Sequence, residues 1–289
     1  MKSILVTGAS GQLAQCFQKL AREYGHFEFV FMDSSELDVT NKCNITQLFG
    51  AKDFDYCINC AAYTNVEKAE SEKERAFKVN AEAAKILAEI CHFSNTTLFH
   101  FSTDYVFNGQ SNFPYSEDDK TDPLNVYGAS KLKGEENIRK STDKYFIFRT
   151  SWLYSEFGHN FFNTILRKAE EKATLNITTA QKGTPTNAND LAKLVMDIIS
   201  TENANYGVYH FSNDGEATWY DFAKAILEIS GNAEAVVLNK DDSYKTVAKR
   251  PQYSVLSKKE LQQNFKIDLI HWRNSLENLH KSTVLNKSS

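Results

Sequence analysis

The chain has 289 residues, 42% hydrophobic and 24% charged, the make-up of a soluble globular protein with room for one large domain and a smaller partner. A formal charge of −4 and a pI near 6.0 argue against a strongly basic surface, so neither nucleic acid nor a membrane is an expected partner. Five scattered cysteines argue against a disulfide scaffold. No stretch approaches the ~18 apolar residues of a membrane span, and Met1–Gly8 lacks the features of a signal peptide, so a cytoplasmic location is expected.

Short apolar runs at Ser3–Val6, Glu28–Met32, Tyr56–Cys60, Thr97–Phe101 and Tyr145–Phe148 read as strands. Between them Gln12–Tyr24, Glu72–Phe93 and Pro123–Ser141 carry helical periodicity. Strands alternating with helices, and strands apolar on both faces, predict an α/β fold: a doubly wound parallel sheet of Rossmann type. Beyond Arg149 the pattern predicts helices at Phe161–Lys172, Asn189–Ser200, Thr218–Ser230 and Trp272–His280, with a strand near Val208–Phe211. The division this suggests is a dinucleotide-binding domain over residues 1–155, with segments near 187–212 returning to it. Residues 156–289 then form a smaller, interleaved substrate-binding lobe.

Residues 7–14, Thr-Gly-Ala-Ser-Gly-Gln-Leu-Ala, lie between the first strand and the first helix. There Gly8 permits a tight turn, Gly11 lets backbone approach a pyrophosphate, and Ala14 allows close packing of helix on strand. Asp33 follows the second strand, 25 residues after Gly8, where a carboxylate accepts hydrogen bonds from adenosine ribose and favours NADH. A helix or turn cap is the lesser alternative role for it, and Ser34 and Ser35 leave NADPH open.

Tyr127-Gly-Ala-Ser-Lys131 places a phenol and an ammonium on one face of a helix. A free tyrosine, with a pKa of about 10, is a poor proton exchanger near neutrality, and an adjacent ammonium is expected to lower that value. Ser102-Thr103-Asp104-Tyr105 ends the fourth predicted strand, so Thr103 is positioned to hold a substrate carbonyl together with Tyr127. Cys57 and Cys60 form Cys-x-x-Cys, but on a strand they face opposite sides, and no metal site is expected.

These residues resemble the extended, sugar-nucleotide-modifying branch of the short-chain dehydrogenase/reductases, and most narrowly the dTDP-4-dehydrorhamnose reductase family. The matching segments include Cys-Ala-Ala-Tyr-Thr-Asn-Val-Glu-Lys-Ala-Glu at 60–70, Phe-Ser-Thr-Asp-Tyr-Val-Phe at 101–107, Phe-Arg-Thr-Ser-Trp-Leu-Tyr at 148–154 and Arg-Pro-Gln-Tyr-Ser-Val-Leu at 250–256. The resemblance implies reduction of dTDP-4-dehydro-L-rhamnose to dTDP-L-rhamnose, the last step in making that precursor, with either NADPH or NADH. It implies that Gly11, Gln12, Leu13, Asp33, Asp38, Val39, Ala61, Ala62 and Tyr63 contact the dinucleotide. Thr103, Asp104, Tyr127 and Trp152 would contact the sugar nucleotide.

Trp152 reads equally as core packing. Arg250 suits a diphosphate, or a surface ion pair. Two departures stand out: Ala180 replaces a frequent acidic residue, and Cys16 stands where some relatives place a glutamate that helps hold magnesium at a dimer interface. No metal is therefore expected, and a homodimer stays open. Tyr105 occupies the slot where a 4,6-dehydratase would carry a glutamate. A 4-epimerase, or a regulatory subunit of methionine adenosyltransferase, retains the same motifs.

Overall fold

The structure, a computed structural model, describes residues 1–243 and 245–287. Five strands, β1 (Lys2–Thr7), β2 (Phe27–Met32), β3 (Tyr56–Asn59), β4 (Thr97–Thr103) and β5 (Tyr145–Thr150), join the strand Gly207–His210 in one sheet. Its order is β2-β1-β3-β4-β5 followed by Gly207–His210, and every pairing is parallel. The chain steps from β1 outward to β2, then crosses back to β3 on the other side of β1. That reversal opens a crevice at the carboxyl ends of β1 and β3, where ligands bind in sheets of this kind.

Alternate strand residues feed two cores. Ile4, Val6, Ile58 and Phe99 pack with Phe17, Leu191 and Val195 on one face. Leu5, Cys57, Leu98 and Ile147 pack with Leu87, Ala88 and Ile138 on the other. Cys57 and Cys60 accordingly sit on opposite faces, Cys60 half-buried against the first core. The helices are α1 (Gln12–Ala21), α2 (Lys42–Ala51), α3 (Val66–Ala69), α4 (Lys73–Phe77), α5 (Ala83–Phe93) and α6 (Val126–Ser141) in the first half. The second half adds α7 (Phe161–Glu170), α8 (Ala188–Ser200), α9 (Trp219–Ile229), α10 (Lys259–Phe265) and α11 (Trp272–Lys287). Helices α7, α9 and α11 close a third core around Tyr154, Phe222, Ile226 and Leu276, while α8 packs against α1. No helix among the described residues is long and apolar enough to cross a membrane.

Several elements differ from their sequence expectation, α3 and α10 among them as helices with no predicted counterpart. The predicted helix Glu72–Phe93 is α4 and α5 joined by a π-helical turn, Lys78–Glu82. A Cβ at Gly134 of α6 would lie 2.2 Å from the Asn80 carbonyl oxygen, so that glycine is what lets the turn seat against α6. The predicted helix from Pro123 begins instead at Val126, because Asn125 caps it by accepting from Gly128 N at 2.8 Å. Helix α2 has no counterpart in the predicted elements; its cap, Asn41, accepts from Cys43 N and Asn44 N, but only Ile45 and Phe49 are buried along it.

Candidate active site

Gly8 has φ +66°, and a Cβ there would lie 2.8 Å from Ala61 N and 2.9 Å from Ala61 Cα. Both the left-handed backbone and the contact between the β1 and β3 ends demand glycine at this position. Gly11 N–H donates to Gly8 O at 2.8 Å, and α1 starts at Gly11 without a side-chain cap. The first-turn amides of α1 thus lack the side-chain acceptor that usually satisfies them.

The turn opens onto one continuous cleft. A cavity of about 510 Å³ is lined by Gly8, Gly11, Asp38, Val39, Ala61, Ala62 and Tyr63, and Ser10, Gly11, Cys60 and Ala62 carry it into a second of about 630 Å³. Gln12, Leu13, Thr103, Asp104, Tyr127, Lys131, Trp152 and Arg250 line that second cavity. Asp33 lines neither: its carboxylate caps its own turn, accepting from Ser35 N at 2.8 Å, Ser35 Oγ at 2.6 Å and Glu36 N at 3.3 Å. Sequence adjacency offered no cation near Asp33, yet α4 and the π turn bring Arg75 and Lys78 to the same end of the cleft. They lie more than 40 residues from Asp33 in sequence, which is why adjacency missed them.

At the far end, β4 delivers Thr103 and α6 delivers Tyr127. Gly128 makes this approach feasible, since a Cβ there would lie 2.2 Å from the Tyr105 carbonyl oxygen. The Thr103 and Tyr127 side chains line the same cavity. Thr103 Oγ1 also accepts from Tyr105 N at 3.2 Å and donates to Asp104 Oδ1 at 3.1 Å. Burial pushes the Tyr127 phenol up to about 12, against the lowering influence of the Thr103 side chain. Burial likewise lowers the Lys131 ammonium to about 8, opposed chiefly by the Glu135 carboxylate.

This corrects the expectation that Lys131 lowers the Tyr127 pKa. Desolvation dominates both groups, and the groups that act on Lys131 are Glu135 and Cys60. The outcome suits a proton donor, because Tyr127 stays protonated at neutral pH. Asp104, buried beside it, is raised to about 7 by burial, with Ser254 and Thr103 favouring the carboxylate.

Several supporting residues were not evident from the sequence. Asn80, 1% exposed on the π turn, donates to Tyr63 O at 3.0 Å and Ser130 Oγ at 2.9 Å and accepts from Tyr63 N at 2.8 Å. Ser130 Oγ donates in turn to Tyr127 O at 2.8 Å. Asn80 therefore ties the loop after β3 to the helix carrying Tyr127. Beneath Thr103, Ser102 Oγ donates to Glu135, which also holds Arg149 at 2.8 Å in an ion pair buried on both sides.

Trp152, with a left-handed φ of +47°, stacks on Trp219 with ring centroids 3.7 Å apart. Gly183 also lies against the Trp152 indole, where a Cβ would come within 2.8 Å of it. Trp219 Nε1 donates to Gln181 Oε1 at 3.0 Å, and both indoles line the cleft. Arg250 lines it too, and donates to Glu67 Oε1 at 2.7 Å.

This constellation has close relatives. The RmlD substrate binding domain family matches residues 1–284. A dTDP-4-dehydrorhamnose reductase from Aggregatibacter actinomycetemcomitans is 38% identical over 289 aligned residues, covering 96% of this chain and 98% of its own. The chain belongs to the dTDP-4-dehydrorhamnose reductase family. Its members are oxidoreductases on a Rossmann-type sheet. The spore coat polysaccharide biosynthesis protein SpsK of Bacillus subtilis is also 38% identical, with 96% of each chain covered. The crystal structure of a dTDP-4-dehydrorhamnose reductase from Bacillus anthracis, in complex with NADP, superposes with a TM-score of 0.93 at 33% identity, covering 98% of this chain and 100% of that one.

Proposed function

We propose that this chain reduces dTDP-4-dehydro-L-rhamnose to dTDP-L-rhamnose with NADPH or NADH, Tyr127 being the proton donor. The observation that carries the reading is that Thr103 and Tyr127 line the same cleft as the glycine turn. The residues present fit a dinucleotide: Gly8 lets the turn after β1 close on the Ala61 backbone beside the cleft, and α1 begins without a side-chain cap. Gly8, Gly11, Gln12 and Leu13 would hold the pyrophosphate, with Asp38, Val39, Ala61, Ala62 and Tyr63 toward the adenosine. A bound nicotinamide dinucleotide supplies the hydride that such a reduction requires.

The protein's own part is to orient the carbonyl and provide the proton. With substrate bound, the Thr103 hydroxyl turns its one proton from Asp104 Oδ1 to the keto oxygen on one side, and Tyr127 gives its proton to that oxygen from the other. Lys131, as a cation, would donate to the cofactor ribose and orient it beside the carbonyl. Tyr105 supports reduction over dehydration: it packs edge-on against Tyr127 with centroids 6.0 Å apart, and burial drives its phenol further up, away from acid–base work near neutrality. Trp152, which lines the cavity, offers the sugar the part of its indole that Trp219 does not cover.

Coupled oxidation of NADPH or NADH with enzymatically generated dTDP-4-dehydrorhamnose tests the reading. The expected result is substrate-dependent loss of absorbance at a turnover of roughly 1–100 per second. Absence of turnover with both cofactors would refute it and favour a non-catalytic binding subunit. The pH profile supplies a second prediction. The Lys131 cation, lowered to about 8 by burial, is present below that pH and lost above it. Turnover is therefore expected to fall about tenfold per pH unit on the alkaline side of ~8, and a rate that stays flat to pH 10 would remove Lys131's charge from the mechanism.

A further inference from the structure

The segment just after β3 makes contacts that the reaction as described leaves unused. Glu67 lies on the short helix α3, and its carboxylate reaches across to residues 247–250, some 180 positions later in the chain. Oε2 accepts from Val247 N at 2.9 Å and from Ala248 N at 3.3 Å, while Oε1 accepts from an Arg250 Nη at 2.7 Å. One carboxylate therefore engages two backbone amides and a guanidinium of the same strap.

Nearby contacts fasten the strap to the catalytic helix as well. Asn125 Nδ2 donates to Lys249 O at 2.8 Å while its Oδ1 caps α6, and Glu70 Oε1 accepts from Val126 N at 2.9 Å. The residue next to Tyr127 and the residue next to Arg250 are thus held by one cluster. Arg250 and Val66, which precedes Glu67, line the cavity that holds Thr103 and Tyr127. A guanidinium on an irregular strap has many rotamers and little intrinsic reason to face the cleft, so the group that fixes it decides where its charge acts.

We propose that Glu67 is a positioning residue for the substrate diphosphate: it clamps residues 247–250 against α3 so that Arg250 is presented to the cleft. This rests on the reading above, in which a nucleoside-diphosphate sugar occupies the cavity. The half-buried position of the pair matters. Glu67 and Arg250 side chains keep 37% and 26% of their exposure, so the link between them is accessible to a ligand rather than sealed in a core. A carboxylate with only a structural role would stabilise the strap without favouring diphosphate over an uncharged nucleoside. A positioning carboxylate makes the diphosphate contribution depend on Glu67.

Titration calorimetry of the full chain with dTDP and with thymidine separates these roles. The readout is the factor by which dTDP binds more tightly than thymidine. Glu67→Gln is expected to shrink that factor roughly tenfold, Arg250→Ala to shrink it at least as much, and the double variant to lose no more than Arg250→Ala alone. In steady-state assays the loss falls on KM for the sugar nucleotide rather than on kcat. Should Glu67→Gln fail to fold, Glu67→Asp keeps the charge on a shorter stem and is expected to lose part of the factor. A factor unchanged or increased in Glu67→Gln, with a reduced one in Arg250→Ala, overturns the positioning role alone. A factor unchanged in Arg250→Ala overturns the diphosphate assignment of Arg250, and the role of Glu67 with it.

Discussion

Tyr127→Phe is expected to lower kcat by roughly 10²–10⁴-fold, the usual contribution of a positioned general acid, while the affinity for NADPH or NADH changes by less than about threefold. The substitution removes one oxygen and little else. Phenylalanine preserves the edge-on packing against Tyr105, whose ring plane stands 81° from that of Tyr127. Thr103 retains its bonds to Tyr105 N and Asp104 Oδ1, so the substrate-facing hydroxyl stays in place. The fold at this point depends on Gly128 and on the Asn125 cap, neither of which the phenol contacts through a hydrogen bond.

What disappears is the proton. In the reductive direction the new alkoxide must be protonated as it forms, and Tyr127, held at about 12, is protonated throughout the working range. Water can substitute only poorly, because it is an unpositioned and weaker acid than a phenol fixed in the cavity wall. Single-turnover measurements with saturating cofactor, alongside fluorescence titration of the cofactor, separate the two effects. Wild-type turnover in this variant would remove Tyr127 from the mechanism; weakened cofactor binding with normal turnover would reassign it to cofactor binding.

The parts of this site that local rules govern were legible in the sequence. Gly8 announces a left-handed turn at a strand end, and Tyr127 and Lys131 share a face because the helical repeat places positions four apart together. Thr103 was legible because strand ends in a parallel sheet are where ligands bind. What stayed hidden depends on contacts between distant segments. Asn80 matters because a π turn rotates it toward Ser130, and an i→i+5 turn has no simple sequence pattern. Trp219 meets Trp152 across 67 residues, and only the packed lobe shows that their rings stack. Lys131 was read from its spacing to Tyr127, but its charge is governed by burial, Glu135 and Cys60, which spacing does not encode. Asp33 shows the converse. Its position matched a ribose-binding carboxylate, while its hydrogen bonds are those of a turn cap.

Arg149→Met is expected to be the most destabilising of these changes, by about 3–5 kcal/mol, the usual result of leaving one member of a buried ion pair alone. For a chain of 289 residues this corresponds to a fall of roughly 5–8 °C in Tm. Arg149 and Glu135 retain only 4% and 1% of their side-chain exposure. Arg149 Nε donates to both Glu135 oxygens at 3.1 and 3.2 Å, Nη2 to Oε2 at 2.8 Å, and Nη1 to the Glu117 carbonyl at 3.3 Å. Methionine fills much of the volume and supplies none of these donors, so the Glu135 carboxylate is left with the Ser102 hydroxyl as its hydrogen-bond partner among the described contacts. The companion variant Glu135→Leu/Arg149→Met removes both charges and is expected to recover part of the lost stability, because neither member of the pair is left alone, while Lys131 loses the carboxylate that favours its cation. Activity should not recover with it. Ser102 precedes Thr103 on β4, and Glu135 lies one helical turn from Lys131 on α6, so the pair also registers the strand end against the catalytic helix. Thermal unfolding of the single and double variants, with turnover measured on each, distinguishes the two contributions. A double variant less stable than Arg149→Met would show that the pair stabilises the fold beyond its mutual compensation, and full turnover in the double variant would free the catalytic geometry from any dependence on it.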